Sequence, residues 1–214
     1  MDNLLQCSIL RYLRIILTSV LFFGLMNVCY AGEPLEMVRS SVEKVVAVLK
    51  DSRLKSPEKK KERIDRLKEI INPIFDYDEM ARRALGAHWR RRTLAEQEEY
   101  LTLFRLFIEK VYADKVDLYE GERIVVGRET IDGDYAEVES KVINARGEEN
   151  PVIFRIRRAD GKWRVYDAVV ENISVVQNYR SQFDRVISKS SYDELRKLLK
   201  DKSAQIELIP PKRS

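Results

Sequence analysis

Two side chains stand out as candidates for acid–base chemistry. His88, in Leu85-Gly-Ala-His-Trp89, is the only histidine, so a Ser-His-Asp triad would need it as the base. Asp167 lies within an apolar run, where burial could raise the pKa of its carboxyl group and make it a general base. Structural roles remain open for both: His88 could cap a helix or lie on the surface, and Asp167 could face outward or accept bonds from arginine or backbone donors.

The rest of the sequence offers little for catalysis or for nucleic-acid binding. Both cysteines, Cys7 and Cys29, precede residue 32, and with one histidine a common zinc site cannot be built. No Gly-x-Ser-x-Gly elbow or phosphate-binding glycine loop is present. The 39 basic and 35 acidic residues give a mixed-sign net charge of +4, unlike the one-signed face of a nucleic-acid binder. Arg90-Arg-Arg92 could hold an anionic head group or a partner, or be solvated surface. We therefore predict no cofactor, no metal and no nucleic-acid partner.

The first residues have the pattern of a secretory signal. Arg11 and Arg14 precede an uncharged apolar run, and Cys29-Tyr-Ala31 places small residues where a signal peptidase cuts. We expect a cleaved signal peptide at 1–31, one domain at 32–202 and a disordered tail at 203–214. Export by this route predicts a periplasmic protein.

Helical and strand periodicities alternate along the remaining chain. Apolar residues recur at helical spacing between 35 and 49 and between 64 and 71. Asp76 with Glu79 and Thr93 with Glu96 are capping-box patterns that open two more helices. Strands are expected near 124–126, 136–142, 152–157 and 163–170, with Asp160-Gly161 as a hairpin turn, before helices return near 173 and 191. We predict an α+β fold: an antiparallel sheet of about four strands packed by helices.

Aromatic and aliphatic residues at these spacings could face one interior. Pattern alone does not separate a filled core from an empty pocket, so both interpretations stay open. As a pocket, it would be lined by Phe75, Leu85, Phe104, Phe107, Val111, Tyr166, Val169, Val176, Tyr179 and Phe183.

Four segments in this order and spacing resemble a known family. They are the stretch from Phe75 to Arg90, the helix with Phe104, Gly161-Lys-Trp-Arg-Val-Tyr-Asp167 and Asn178-Tyr-Arg-Ser-Gln-Phe183. Together they are similar to the MlaC family, the periplasmic phospholipid-binding proteins of the Mla lipid-transport system, also called the toluene-tolerance family. The likeness runs from about Val38 to Lys202. One departure is Asn172, where the family has glycine, but asparagine tolerates left-handed backbone angles.

The resemblance implies a fold related to nuclear transport factor 2, in which a curved sheet and helices enclose an apolar pocket for acyl chains. It also implies a shuttle between an outer-membrane lipoprotein-porin complex and the lipid-binding subunit of an inner-membrane ABC transporter, which maintains outer-membrane lipid asymmetry. It implies no catalytic residue. The alternative from the residues themselves is a small cone-fold isomerase or hydrolase with Asp167 as its base.

Overall fold

The structure is a computed structural model that describes residues 32–113 and 115–201. The predicted signal peptide at 1–31 and the predicted disordered tail at 203–214 lie outside the described residues. Within the described ranges, no helix combines the length and apolarity needed to cross a membrane.

In the part of the chain that the structure describes, six α-helices form where the periodicities and caps predicted helices. Asp76 accepts a hydrogen bond from the Glu79 N–H, and Thr93 and Glu96 exchange bonds in a capping box, so both predicted caps are confirmed. Ser174 caps the fifth helix through the Gln177 N–H. The helices are α1 (Glu33–Lys50), α2 (Lys60–Ile71), α3 (Tyr77–Leu85), α4 (Leu94–Ala113), α5 (Val175–Lys189) and α6 (Tyr192–Asp201).

The sheet is an antiparallel meander of five strands in sequence order. Sequence periodicity predicted about four, and the additional strand has only two residues, too few for a visible alternation. The predicted α+β class with helices on an antiparallel sheet is confirmed, and the sheet is open rather than closed into a barrel. The strands are β1 (Arg123–Asp132), β2 (Tyr135–Ile143), β3 (Glu149–Ala159), β4 (Lys162–Val170) and β5 (Ile173–Ser174).

Residues with left-handed backbone angles form the tight turns on either side of β4. Asp160 and Gly161 have φ of 51° and 73°, as the predicted Asp-Gly hairpin turn requires. Glu171 and Asn172 have φ of 49° and 66°. Asn172 therefore adopts the left-handed backbone angles that asparagine was expected to tolerate at this turn.

A β-bulge interrupts the pairing of β3 with β4. Arg155 pairs with Asp167 while Ile156 pairs with Val165, which leaves Tyr166 as an extra residue. Because side chains alternate along a strand, the extra residue shifts the alternation of everything after it. Val165, Ala168 and Val170 consequently share the face that an unbroken strand would give to 165, 167 and 169.

Two short segments pair with the edge of β4 that faces away from β3. Phe75 forms a parallel bridge with Val165, and backbone bonds of 2.8 Å join Val165 to Ile74 and Asp76. β5 pairs with Val169 and Val170 at the other end of the strand. This arrangement brings the start of α3 and the start of α5 against the sheet.

Two groups of buried apolar residues form the interior. One joins α1 to the sheet: Leu35, Val38, Ala136, Val138, Ile156, Trp163 and Val165. The other joins the helices around an aromatic cluster: Tyr77, Met80, Ala81, Ala84, Leu85, Tyr100, Phe104, Phe107, Ile108, Val175, Val176, Tyr179, Phe183, Tyr192, Leu195 and Leu199. Tyr77, Met80, Ile108 and Val175 of the second group line the space described next.

Candidate functional site

An apolar cavity of about 300 Å³ lies between the sheet and the helices. Its volume is at the lower end of the range for ligand pockets. Carbon side chains from α2, α4, β3 and β4 form most of its wall. The lining residues are Ile64, Leu67, Lys68, Ile71, Asn72, Phe75, Tyr77, Met80, Ile108, Glu109, Tyr112, Ala113, Val116, Val152, Phe154, Ala168, Val170 and Val175.

The sheet contributes an apolar floor because of its register. Val152 opposes Val170 and Phe154 opposes Ala168 across the β3–β4 pair, so all four side chains point to the cavity. The bulge at Tyr166 produces this arrangement. Without the extra residue, Ala168 and Val170 would lie on the other face.

Helix α2 forms the opposite wall. Ile64, Leu67 and Ile71 recur at spacings of three and four, which places them on one side of the helix and toward the cavity. Ile108 and Tyr112 complete this side from α4 with the same spacing. Tyr77 and Met80 from α3 and Val175 from α5 also line the cavity, which is thus bounded by the sheet and by apolar residues of several helices.

Four polar residues of the wall, Lys68, Asn72, Tyr77 and Glu109, form one connected network with Arg105. Glu109 accepts from Lys68 Nζ at 2.9 Å, from Arg105 Nε at 3.0 Å and from Asn72 Nδ2 at 3.3 Å. Tyr77 donates its hydroxyl proton to Asn72 Oδ1 at 3.1 Å, and the Arg105 guanidinium lies over the Tyr77 ring. We call these five residues the mouth network. One end of the otherwise apolar cavity is therefore polar.

The mouth network lies at the boundary with solvent. The side chains of Lys68 and Arg105 are 40% and 50% exposed, whereas that of Glu109 is only 12% exposed. Burial of Glu109 opposes ionisation, but hydrogen bonds from Lys68 and Arg105 outweigh it and lower its pKa. Burial raises the pKa of Tyr77 to about 12. Glu109 is therefore ionised and Tyr77 neutral at physiological pH.

The predicted pocket residues divide into two groups. Phe75 lines the cavity. The others do not: most of them fill the aromatic cluster, where ring centroids of Phe107 and Tyr179 are 5.4 Å apart. The residues packed in or against this cluster are Leu85, Phe104, Phe107, Val111, Val176, Tyr179 and Phe183. The filled-core interpretation therefore holds for these residues. A filled core and an empty pocket produce the same apolar pattern, so the sequence could not distinguish them.

Tyr166 and Val169 were also predicted to line the pocket, and the bulge explains why they do not. Tyr166 is the extra residue, and its ring lies under the Arg83 guanidinium at 4.3 Å. Val169 is buried, but on the face opposite to Ala168. The cavity is lined instead by Ala168, Val170 and Val152, which were not predicted from the sequence. The stripe of α2 was visible as a pattern but was not assigned to the pocket.

Asp167, the candidate general base, is a buried structural carboxylate. It accepts from Ser174 Oγ at 2.6 Å, from the Val176 N–H at 3.0 Å and from Arg155 at 3.4 Å. It does not line the cavity. These contacts attach the start of α5 to β4, which is the structural alternative that the sequence left open.

The remaining candidates lie elsewhere on the surface. His88 Nε2 lies within hydrogen-bond distance of Asp184 Oδ1, at 2.8 Å, and His88 lines a polar cleft with Arg91 and Arg92. Arg92 packs over the Tyr192 ring at 4.4 Å. Among residues 32–113 and 115–201, no group of three or more His, Cys, Asp or Glu side chains could hold a metal ion.

Comparison with known proteins gives consistent matches over most of the chain. A family model described as MlaC protein matches residues 39–201. The toluene tolerance protein ttg2D of Pseudomonas putida is 24% identical over 188 residues, which cover 87% of this chain and 86% of that protein. The intermembrane phospholipid transport system binding protein MlaC of Haemophilus influenzae is 22% identical over 129 residues, which cover 58% of this chain and 60% of that protein.

A solved structure shares the fold. The phospholipid-binding protein from Ralstonia solanacearum, determined in complex with a phospholipid, superposes with a TM-score of 0.68. The two sequences are 24% identical, and the superposition covers 82% of this chain and 99% of that one. The arrangement of helices on an open antiparallel sheet therefore recurs in that protein.

Proposed function

Because the chain belongs to the MlaC family, we propose that it is a periplasmic phospholipid carrier whose apolar cavity holds acyl chains. The observation that carries this proposal is the cavity itself: its wall is mostly hydrocarbon, and the charged residues of its wall, Lys68 and Glu109, belong to a network that reaches solvent. An amphipathic lipid needs the same division between tail and head.

The energetics of lipid transfer favour a cavity of this kind. Burying hydrocarbon stabilises a complex by about 0.8 kcal/mol per methylene group. Two chains of about 16 carbons would therefore cost on the order of 25 kcal/mol to expose to water. A lipid crosses an aqueous compartment only inside a carrier whose pocket is about as apolar as the bilayer. Only a small difference in affinity between pocket and membrane then drives loading and unloading.

We propose direct acyl contacts from the cavity floor and from α2. Val152, Phe154, Ala168 and Val170 would contact the chains from the sheet, and the stripe Ile64, Leu67 and Ile71 from the helix. Phe75 is the predicted pocket residue that stays in this set. Seven others predicted from sequence would support the wall from behind, since they pack in or against the aromatic cluster: Leu85, Phe104, Phe107, Val111, Val176, Tyr179 and Phe183.

The partners are part of the same proposal. The carrier would exchange lipid with an outer-membrane lipoprotein-porin complex and with the lipid-binding subunit of an inner-membrane ABC transporter, and would thereby maintain outer-membrane lipid asymmetry. The predicted signal peptide at 1–31 would deliver it to the periplasm. The family is one of phospholipid-binding transport proteins, and the bonding of Asp167 gives the enzymatic alternative no support.

Transfer between vesicles tests the proposal. The protein, secreted from the full-length chain, is incubated with donor vesicles that contain labelled phospholipid and then with unlabelled acceptor vesicles. A carrier moves intact labelled phospholipid to the acceptors at a rate proportional to its concentration. Recovery of hydrolysed lipid would indicate an enzyme, and an absence of transfer would reject the carrier function.

A further inference from the structure

The mouth network carries a net positive charge at one end of the cavity. Two cations, Lys68 and Arg105, share the single carboxylate of Glu109. The three groups together carry one positive charge in excess. A phosphodiester carries one negative charge, so its charge matches the excess at the mouth.

The two cationic side chains are also accessible to a ligand. Lys68 and Arg105 are about half exposed, so a ligand oxygen can reach them without unfolding the site. Glu109 is nearly buried and is held by Asn72 as well, so it stays in place when a cation turns to a ligand. Lys68 lines the cavity itself, directly beside the α2 stripe that would contact the acyl chains.

Resting on the proposed function, we propose that Lys68 and Arg105 bind the phosphate of the cargo and thereby select phospholipids over neutral diacyl lipids. The lipid is oriented with its chains against Ala168 and Phe154 and its phosphate at the mouth network. Asn72 adds an amide within the same network. Glu109 sets the charge: it limits the excess to one, which disfavours head groups that carry additional negative charge.

A competition between two lipids tests this selection. The protein is incubated with vesicles that contain equal amounts of phosphatidylglycerol and of diacylglycerol with the same acyl chains, then separated, and the bound lipids are quantified by mass spectrometry. Phosphatidylglycerol is suitable because the rest of its head group is uncharged. We expect the unsubstituted protein to be enriched in phosphatidylglycerol.

Charge substitutions then locate the selection. Lys68→Gln and Arg105→Gln should each reduce the enrichment about fivefold, the effect of a partly exposed charge interaction of about 1 kcal/mol, while diacylglycerol still loads. Lys61→Gln, on the same helix but 90% exposed and paired with Asp65, is the matched control and should change nothing. Glu109→Gln should keep or increase the enrichment, because it removes the opposing charge.

The outcomes separate this inference from the function on which it rests. Unchanged enrichment in Lys68→Gln and Arg105→Gln, or an equal loss in Glu109→Gln, would overturn the phosphate site and leave the carrier in place. If neither lipid loads, both proposals are overturned. Inorganic phosphate at the concentration of the lipid phosphate should leave the enrichment unchanged, because it has no chains to bury. If it abolished the enrichment, the cations would form a site for free phosphate instead.

Discussion

Replacing Ala168 by phenylalanine tests whether the cavity holds acyl chains. Ala168 lies on the cavity floor opposite Phe154, and a strand favours phenylalanine over alanine. The ring should extend into empty space and occupy part of the path of the acyl chains. The change therefore separates lipid binding from folding, since it should weaken the first and support the second.

The magnitude follows from the hydrocarbon that the ring displaces. Full burial of a phenylalanine side chain stabilises by about 1.5–3 kcal/mol, so the complex should lose a similar amount. This loss corresponds to about a 10- to 150-fold weaker affinity for phospholipid. Filling the cavity should at the same time raise the free energy of unfolding of the lipid-free protein by about 0.5–2 kcal/mol.

Two measurements on the same preparation decide the matter. Bound phospholipid per protein is quantified after equilibration with vesicles, and the unfolding free energy of the delipidated protein is measured in urea. Ile131→Phe, at a 48% exposed position on β1, is the control and should leave lipid binding unchanged. Full lipid loading of a folded Ala168→Phe protein would refute the cavity as the acyl-chain site. A loss of both binding and stability would refute the claim that the space is free.

Three further predictions concern buried polar side chains. Asp167→Ala should lower the free energy of unfolding by about 3 kcal/mol, because it leaves buried donors unpaired, whereas lipid bound per folded protein stays constant; a loss of lipid without a loss of stability would contradict the structural role. Tyr179→Phe should raise the free energy of unfolding measured in urea by about 1 kcal/mol, because the buried Tyr179 hydroxyl has no hydrogen-bond partner among the described residues. A destabilised variant would show that the hydroxyl is hydrogen-bonded. Tyr77, whose pKa is raised to about 12 from 10.0, contributes stability that is present below pH 10 and is lost as the pH rises to about 12. Between pH 10 and about pH 12, the free energy of unfolding of Tyr77→Phe should therefore fall by up to about 3 kcal/mol less than that of the unsubstituted protein. An unchanged pH profile would contradict this assignment.

Local patterns predicted the elements of this fold well. Asp76, Thr93 and Asp160 each act through bonds or backbone angles within a few residues, and the structure has all three features as the sequence predicted them. The alternation in β2 likewise predicted its buried face, since Ala136, Val138 and Ser140 are buried. Interactions of this range are encoded by neighbouring residue types alone.

The cavity could not be predicted in the same way. Phe104 and Phe107 on α4 are packed, while Ile108 on the same helix lines empty space, and nothing in their residue types distinguishes the two environments. The position of Ala168 depends on the bulge at Tyr166, which arises from pairing with a different strand. Packing and register are set by tertiary contacts, so the apolar interior could be predicted from local patterns but its empty part could not.

The relation to nuclear transport factor 2 is a separate matter and stays a prediction. The comparisons support the helices and the open five-stranded sheet, and they do not test that relation. The proposed cargo does not depend on it, because the cavity and the mouth network are defined by residues of this chain alone.

Native mass spectrometry of the protein exported from the full-length chain, purified without detergent, tests the central claim most directly. We predict added masses that match intact phospholipids, that disappear on denaturation and that are strongly reduced in Ala168→Phe, on a chain whose own mass corresponds to residues 32–214. A protein that carries no lipid and takes up none from phospholipid vesicles would contradict the account.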